Sequence, residues 1–462
     1  MNTNHLAELA ALDRAHLVHP VAAWRQHEAR GPMLLTGARG AWLTDGHGHE
    51  LLDAFAGLWC VNVGYGQESV VQAATAQMRQ LPYATGYFGF ASEPAIRLAA
   101  KLAAITPASL TRAYLTLGGS EAVDAAVRFI VQYWNARGRT TKKHFIALER
   151  GYHGSSSTGA GLTALPVFHR GFDLPLATQH YIPSPNPYRH PQGGDAQALI
   201  AASVQSLRDK VAELGAENVA AFFCEPIQGS GGVIVPPAGW LKAMRDVARE
   251  QGILFVVDEV ITGFGRTGPM FACDAEGVQP DLMTLAKGLT SGYVPMGATM
   301  LSEEVYATIA DAAPAGAPIG HGATYSGHPV AAAVALEVLR LYEEGGVLAN
   351  GQRVAPRFAA GLEALRAHPL VGDARHRGLL GALELVSDKA TKRAFDPALG
   401  LPDRVFAAAW RNGVVFRCFG DATLGFAPAL TYTEADCDQL FARLTRTLDD
   451  VLAQPEVRAA LG

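Results

Sequence analysis

The chain has 462 residues, of which 49% are apolar and 18% are charged, and its formal net charge at pH 7 is -5. These values predict a globular, enzyme-like protein with a large core and about two to three domains. They argue against a nucleic acid or an anionic membrane surface as the main partner, because the chain contains no long basic block.

The sequence also predicts where the protein works. No apolar run is long enough to span a membrane, and the first 20 residues lack the apolar stretch of a signal peptide. We therefore predict a cytoplasmic protein. The five cysteines include no CxxC pair, so we expect free thiols rather than a disulfide or metal framework.

The first part of the chain predicts little regular structure. Residues 1–40 are mixed and are expected to wrap over the body of the protein. Gly40–Leu52 reads as a hairpin around a D-G-H-G turn. Ala54–Gly66 is rich in glycine and aromatic residues, and its Trp59 could belong to the core or to a pocket. A helix is expected to begin at Ser92.

The middle of the chain alternates between strand and helix patterns. Such alternation predicts a mainly parallel sheet with helical crossovers. The stretch from 166 to 191 is rich in proline and aromatic residues and is expected to be an irregular surface excursion. The predicted elements are Ala113–Leu117, Glu121–Arg137, Lys143–Glu149, Val219–Glu225, Gly239–Gln251, Gly252–Val260 and Asp281–Lys287.

After Pro329 the pattern changes to short strands mixed with helices, which predicts a smaller α+β domain. Thr433 is expected to cap the last helix, with Asp436 as the second residue of the capping box. The predicted helices are Val330–Glu344, Ala355–His368 and Val405–Arg411, and the predicted strands are Leu379–Val386, Val414–Phe419 and Thr423–Ala427.

Two residues in the middle region are typical of a pyridoxal phosphate site. Asp258 ends an unbroken apolar strand, and Lys287 ends the next apolar run. Such strand ends meet at the carboxyl edge of a sheet, where open α/β folds bind ligands. A lysine can form a Schiff base with the cofactor aldehyde, and an acid can pair with the pyridinium nitrogen.

Other motifs have ordinary explanations as well as functional ones. Gly118–Ser120, between a strand and a helix, is either a tight turn or a phosphate cradle. Tyr152, after a strand end, is either a packed loop residue or a ring that stacks on a flat cofactor. Gly263–Gly268 matches G-x-G-x-x-G, but no helix follows it, which excludes a dinucleotide site. The histidines of His321–Pro329 lack other metal ligands nearby, and we predict no metal site.

Several blocks together resemble the class III aminotransferases, of fold type I. They are GLWCVNVGYG, GGSEA, GYHG, EPIQG, DEVITGFGRTG, LAKGLTSGYVPMGA and HGATYSGHP, which are spread over most of the chain. The resemblance implies a large domain over residues 61–329 with a mainly parallel sheet. It also implies a smaller α+β domain built from both chain ends, residues 1–60 and 330–462. A homodimer with shared active sites is implied, and a tetramer stays open.

The resemblance also implies roles for particular residues. Lys287 would be the catalytic lysine, and Arg417 would bind the carboxylate of pyruvate, as in the ω-amine:pyruvate branch. Gly425 stands where other branches usually have an arginine that clamps a carboxylate. The remaining implied cofactor residues are Gly119, Ser120, Tyr152, Glu225, Asp258, Val260 and Thr324 of the neighbouring subunit, and the remaining implied substrate residues are Trp59, Tyr87, Phe88 and Tyr152.

The predicted function is transamination of a primary amine or ω-amino acid with pyruvate, using pyridoxal phosphate and giving alanine. One alternative is a decarboxylase or mutase of the same fold. Another is a protein that binds the cofactor and senses amines without turnover, although the sequence shows no DNA-binding extension.

Overall fold

The buried apolar runs of the sequence form the strands of three sheets. The computed structural model describes residues 3–462. Strands β1 to β15 span, in chain order, Leu35–Arg39, Trp42–Asp45, Glu50–Asp53, Leu110–Thr116, His144–Leu148, Gln179–Ile182, Val219–Cys224, Leu254–Asp258, Leu282–Leu285, Gly297–Ser302, Val371–Arg377, Leu380–Leu385, Val414–Val415, Arg417–Cys418 and Thr423–Phe426.

The central sheet has seven strands in the order β4-β10-β9-β8-β7-β5-β6. The neighbours from β9 to β6 pair in parallel, and every residue of β7 and β8 is buried. Strand β10 is antiparallel to both β9 and β4. The prediction of a mainly parallel sheet is therefore confirmed, and its continuous apolar strands are buried on both faces because helices cover them.

Helices cover this sheet with one apolar face each. In the helix at Gly119–Ala136, Ala122, Ala126, Phe129 and Tyr133 are buried at spacings of three and four residues, as expected of an amphipathic helix. Helices α1 to α15 span Thr3–His16, Trp24–Arg30, Ala56–Trp59, Glu68–Gln80, Glu93–Ile105, Gly119–Ala136, Ser157–Leu162, Ala196–Leu214, Trp240–Glu250, Glu303–Ala312, Pro329–Glu343, Val347–Leu365, Leu401–Arg411, Glu434–Leu452 and Pro455–Ala459.

Two smaller sheets carry the ends of the chain. The first has the order β1-β2-β3-β13, so the expected N-terminal hairpin of β2 and β3 pairs with a strand from the C-terminal part. The second has the order β11-β12-β15-β14. The prediction of one strand over Val414–Phe419 was wrong, because β13 pairs with β3 while β14 pairs with β15. Phe416 lies between them, where the chain passes from one sheet to the other.

The stretch 166–191 was also predicted incorrectly in part. It contains β6, which pairs in parallel with β5 at the edge of the central sheet. Surrounding proline and aromatic residues concealed this four-residue strand. The capping prediction for Thr433 is confirmed, since the Thr433 side chain accepts the backbone N–H of Asp436 and the Asp436 side chain accepts the backbone N–H of Thr433. The capped helix is α14 and not the last one, because the short helix α15 follows it. Among the described residues no helix has the length and apolar character to cross a membrane.

Candidate active site

A cavity of about 170 Å³ lies at the carboxyl edge of the central sheet, where β8 ends at Asp258 and Lys287 follows β9. Its position agrees with the rule that open α/β sheets bind ligands beyond their strand ends. Seven residues predicted as cofactor residues line it. The complete lining is Gly119, Ser120, Tyr152, His153, Gly154, Glu225, Asp258, Val260, Ile261, Ala286 and Lys287.

Lys287 reaches this cavity from a strained backbone. Its φ of 44° lies in the left-handed region, which costs a residue with a Cβ atom and is often retained at functional sites. Burial lowers the pKa of the Lys287 ammonium, and the charges of Asp258 and Glu225 oppose that effect only in part. The lysine therefore loses its proton more readily than an exposed lysine, which suits a nucleophile or a general base.

Asp258 is held by two donors. The backbone N–H of Val260 donates to its Oδ1 at 3.1 Å, and Nδ1 of His153 donates to its Oδ2 at 2.8 Å. Burial lowers the pKa of His153, but the hydrogen bond and charge of Asp258 outweigh burial, and the net pKa is raised. Buried groups that stabilise each other's charge in this way fix the carboxylate in one orientation.

His153 was not among the predicted site residues, although it lies beside Tyr152 in the GYHG block. The ring is completely buried, and its Nε2 has no hydrogen-bond partner among the described residues. Its one polar ring contact is therefore with Asp258. The available signal was a histidine in the loop that follows a strand end, which gave no indication that it would face a carboxylate 105 positions away.

Glu225 connects two loops at the rim of the cavity. Its Oε1 accepts the backbone N–H of Tyr152 and its Oε2 accepts the backbone N–H of Gly229, each at 2.9 Å. Burial raises the pKa of Glu225 to about 7. The role predicted for Glu225 was to orient the cofactor or to pair with an arginine. In this structure both carboxylate oxygens bind backbone groups, which positions the Tyr152 loop over the cavity.

The N-terminus of helix α6 forms the opposite end of the cavity. Gly119 and Ser120 open this 18-residue helix, whose first N–H groups have no partner within the helix. A Cβ atom on Gly154 would lie 2.7 Å from Oγ of Ser120, and the φ of Gly154 is +113°, so only glycine allows this close approach. The backbone N–H of Ser155 donates to the Ser120 hydroxyl at 3.1 Å. A helix N-terminus with a hydroxyl in a close backbone loop suits a phosphate group.

A second group of predicted residues lies beside the cavity. Trp59 is 3% exposed and packs with Ile261, which lines the cavity, in one apolar cluster. The ring of Phe419 stacks on Trp59 with centroids 6.4 Å apart, and the guanidinium carbon of Arg417 lies 5.4 Å from the Phe419 centroid. A Cβ atom on Gly425 would lie 2.8 Å from the Phe419 ring and 3.0 Å from that of Trp59. The two rings therefore occupy the space that a side chain at this position would need.

A third group lies apart from the lining of the cavity in the single chain. Tyr87 is 40% exposed, Phe88 is 92% exposed and Thr324 is exposed. The hydroxyl of Tyr83 donates to the backbone oxygen of Thr324 at 3.0 Å, and a Cβ atom on Gly322 would lie 2.7 Å from the Tyr87 ring. The segments around Tyr87 and Thr324 thus contact each other, but one chain does not bring them to Lys287.

The G-x-G-x-x-G block contains a further residue that sequence reasoning did not single out. Arg266 is completely buried and donates to the backbone oxygens of Leu379, at 3.1 Å, and Pro428, and to Oδ1 of Asn62. Burial lowers the pKa of Arg266 to about 10. Its neutral partners come from both ends of the chain. The block is therefore a structural junction.

Comparisons with known proteins agree with this geometry. The family model described as aminotransferase class III matches residues 24–448. The putrescine–pyruvate aminotransferase of Pseudomonas aeruginosa is 41% identical over 450 residues, which are 96% of this chain and 97% of that protein. The diaminobutyrate–2-oxoglutarate transaminase of Halomonas elongata is 36% identical over 90% of each chain.

Solved structures are similar as well. A thermostable (S)-enantioselective omega-transaminase from Thermomicrobium roseum superposes with a TM-score of 0.93 at 39% identity, covering 96% of this chain and 99% of that one. The omega-transaminase from Pseudomonas jessenii in complex with PMP gives a TM-score of 0.93 at 36% identity, covering 96% and 98%.

Proposed function

The chain belongs to the class III aminotransferases, and from this premise we propose that it transfers the amino group of a primary amine to pyruvate. The observation that carries the proposal is the single cavity that holds Lys287 and Asp258 beside the N-terminus of α6. The similarity to a putrescine–pyruvate aminotransferase and to omega-transaminases supports the choice of substrates.

The residues of the cavity fit the cofactor of this family, pyridoxal phosphate. Gly119 and Ser120 would hold its phosphate at the helix N-terminus, and Asp258 would pair with its ring nitrogen. Tyr152 and Val260 would cover the two faces of its ring. When bound, the cofactor supplies a protonated pyridine ring that withdraws electrons from the amine-bearing carbon of the substrate.

The protein contributes charge placement and proton transfer. Asp258, fixed by its two donors, holds a negative charge where the positive charge of the ring nitrogen would lie. Lys287 removes the proton from the amine-bearing carbon and returns it later, acting as general base and then general acid at Nζ. Its lowered pKa increases the fraction of the amine that is ready to accept a proton. Burial of both groups strengthens their electrostatic effect because little water screens them.

Amine selection would depend on the aromatic group beside the cavity. Trp59 and Phe419 offer flat apolar surfaces, and the space above Gly425 has no room for a fixed arginine. Arg417 is exposed and lies on the edge of this group. A guanidinium binds a carboxylate with two parallel hydrogen bonds, so Arg417 would bind pyruvate, while a donor without a carboxylate would pack on the rings instead.

We further propose that the active unit is a homodimer with shared sites. The support is the exposure of Tyr87, Phe88 and Thr324 in one chain, away from Lys287. A complementation experiment tests this idea by coexpressing Lys287→Ala chains with Thr324→Glu chains. Shared sites predict that mixed dimers regain one intact site each, giving roughly a quarter of wild-type activity. Two variants that stay as inactive together as they are alone would contradict shared sites.

The activity itself is tested by product analysis. The purified protein with pyridoxal phosphate, a panel of carboxylate-free amines and pyruvate should form alanine and the matching aldehyde or ketone. Parallel reactions use ω-amino acids as donors. Release of carbon dioxide from such a donor, or its rearrangement, without formation of alanine would instead indicate another reaction of this fold. A matched reaction with Lys287→Ala is the control for cofactor chemistry that does not need this lysine.

A further inference from the structure

Three side chains that can bind a metal meet near the start of the chain, outside the active site. Asp13 lies on α1, His19 in the connection between α1 and α2, and His27 on α2. Nε2 of His19 lies 2.7 Å from one Asp13 oxygen, and Nε2 of His27 lies 2.7 Å from the other. The two imidazole centroids are 3.9 Å apart. All three ligand atoms lie within 4.8 Å of one another.

This cluster is partly shielded from water. The side chain of Asp13 is 8% exposed, that of His27 is 14% exposed and that of His19 is 28% exposed. The two histidine rings are close and tilted by 39° to each other. With one carboxylate between their Nε2 atoms, they form more than a pair of surface ion contacts. They present two nitrogen atoms and one oxygen atom to a common point, with one side open to solvent.

The backbone around the cluster is fixed by polar contacts rather than by an apolar core. Helix α2 has no buried residue. The indole N–H of Trp24 donates to the backbone oxygen of His19 at 3.0 Å, and Nε of Arg14 donates to that of Glu28 at 2.9 Å. These bonds hold α1, the connection and α2 together, so the ligands are placed before any metal arrives. Prior placement reduces the ordering cost of binding.

We propose that Asp13, His19 and His27 form a binding site for one zinc ion in each chain. Two imidazoles and a carboxylate are a typical three-ligand zinc set, and water completes the tetrahedron at the open side. Bonds of about 2.0–2.2 Å place tetrahedral ligand atoms roughly 3.3 Å apart. The nitrogen–oxygen distances of 2.7 Å must therefore open by about 0.6 Å, which small side-chain rotations provide.

Zinc binding requires both imidazoles of the cluster to move a proton from one ring nitrogen to the other. In the metal-free protein each Nε2 carries the hydrogen that it donates to Asp13. A ligating Nε2 must offer its lone pair instead, so each neutral imidazole carries its proton on Nδ1 in the zinc form. If both imidazoles are neutral before zinc binds, the cluster releases no net proton. Of the three ligands only Asp13 is negatively charged.

The site would act as a clamp on the N-terminal segment. Because α2 has no apolar core of its own, three bonds to one ion would stabilise the packing of α1 on α2 more strongly than the two hydrogen bonds that they replace. The predicted consequence is slower opening of residues 3–30 with zinc, without any change in the cavity of Lys287.

Equilibrium dialysis of the holoenzyme against zinc, after treatment with a chelator, tests the proposal. Bound metal is measured in the wild type, in His27→Gln and in the control His16→Gln, which changes an exposed histidine of α1 outside the cluster. We expect one tightly bound zinc ion per chain in the wild type and in His16→Gln. In His27→Gln the zinc affinity should fall by at least about 100-fold, because loss of a direct ligand should cost no less than the largest loss seen when a residue that only supports a ligand is removed.

Hydrogen exchange of residues 3–30 provides the second measurement. Zinc should slow exchange there in the wild type and in His16→Gln but leave exchange in His27→Gln unchanged, while all three proteins keep their aminotransferase activity. Equal zinc binding by all three proteins would be adventitious binding at other residues and would overturn the proposal. Failure of the wild type to retain zinc after dialysis would also overturn it and leave the cluster a hydrogen-bonded contact.

Discussion

The hydrogen bond between His153 and Asp258 provides the sharpest test of how the site is organised. His153→Phe keeps a flat ring but removes the Nδ1 donor that lies 2.8 Å from the Asp258 carboxylate. The substitution removes no other ring hydrogen bond, since Nε2 has no partner among the described residues. The backbone N–H of His153 still donates to the Thr163 hydroxyl at 2.8 Å. The variant therefore isolates one interaction.

The size of the effect follows from the type of bond. A hydrogen bond to a charged group contributes about 1.5–3 kcal/mol. If that bond holds Asp258 in its working orientation, its loss lowers kcat by about 10- to 150-fold, because each 1.36 kcal/mol corresponds to a factor of ten. Steady-state kinetics with saturating amine, pyruvate and cofactor give kcat. The KM for pyruvate should change much less, because the His153 ring contacts Asp258, whereas Arg417, the residue proposed to bind pyruvate, lies beside Phe419.

A second variant separates positioning from packing. His153→Asn places an amide nitrogen near the position of Nδ1, so it should recover part of the kcat that His153→Phe loses. Thermal unfolding of both variants measures how far each substitution lowers the free energy of unfolding. For His153→Phe we expect a loss of about 1–3 kcal/mol, because phenylalanine is larger than histidine and overfills the buried position. Wild-type kcat in His153→Phe, or equal losses in both variants that follow only their unfolding temperatures, would refute a positioning role.

Three further predictions concern the same site. Lys287→Ala should bind the cofactor weakly and lose at least about 10²- to 10⁴-fold in turnover, the contribution of a general base, and transamination at the wild-type rate would reject the assigned lysine. Arg417→Leu should raise the KM for pyruvate by about 10- to 150-fold, because a charge-assisted hydrogen bond to the pyruvate carboxylate is lost. The half-reaction with a carboxylate-free amine should stay nearly unchanged, and equal losses in both half-reactions would contradict the assigned role. Glu225 has a folded-state pKa of about 7 because of burial, above its ordinary value of 4.5, so its contribution to folding stability is present at low pH and is lost as pH rises through 7. Chemical unfolding of the cofactor-free protein between pH 5 and 8 should show a loss of up to about 3 kcal/mol relative to Glu225→Gln, and parallel curves for the two proteins would count against it.

The sequence was informative where function and fold use the same local pattern. Asp258 and Lys287 were predictable because a buried strand must end in a turn at the sheet edge, and a polar residue at that point faces a ligand site. The unbroken apolar runs of β7 and β8 likewise indicated burial on both faces. The capping pair Thr433 and Asp436 was readable because its two residues are three positions apart.

Long-range contacts account for most of what the sequence did not reveal. His153 meets Asp258 across 105 positions, and Arg266 meets Pro428 across 162 positions. Neither contact leaves a local pattern. The same holds for Asp13, His19 and His27, which lie on two different helices and on the connection between them. The split of Val414–Phe419 between two sheets depends on which neighbour each half meets, and β-branched residues alone could not predict it.

The predicted substrate residues Tyr87 and Trp59 and the predicted cofactor residue Thr324 show a different limit. Tyr87 and Thr324 could be predicted only through the family resemblance, since in the single chain they contact each other's segments and not the Lys287 cavity. Trp59 had two interpretations from composition. It is buried in the apolar cluster that includes Ile261 of the cavity lining, and its contact with the substrate stays a prediction.

The central claim is that Lys287 and Asp258 hold pyridoxal phosphate for transamination with pyruvate. Its most direct test is the visible absorbance of the purified protein with cofactor, recorded before and after a carboxylate-free amine and again after pyruvate. We predict a yellow band that the amine bleaches and pyruvate restores, and no such cycle in Lys287→Ala. A wild-type protein that never develops the band after addition of the cofactor would contradict the assignment of both residues.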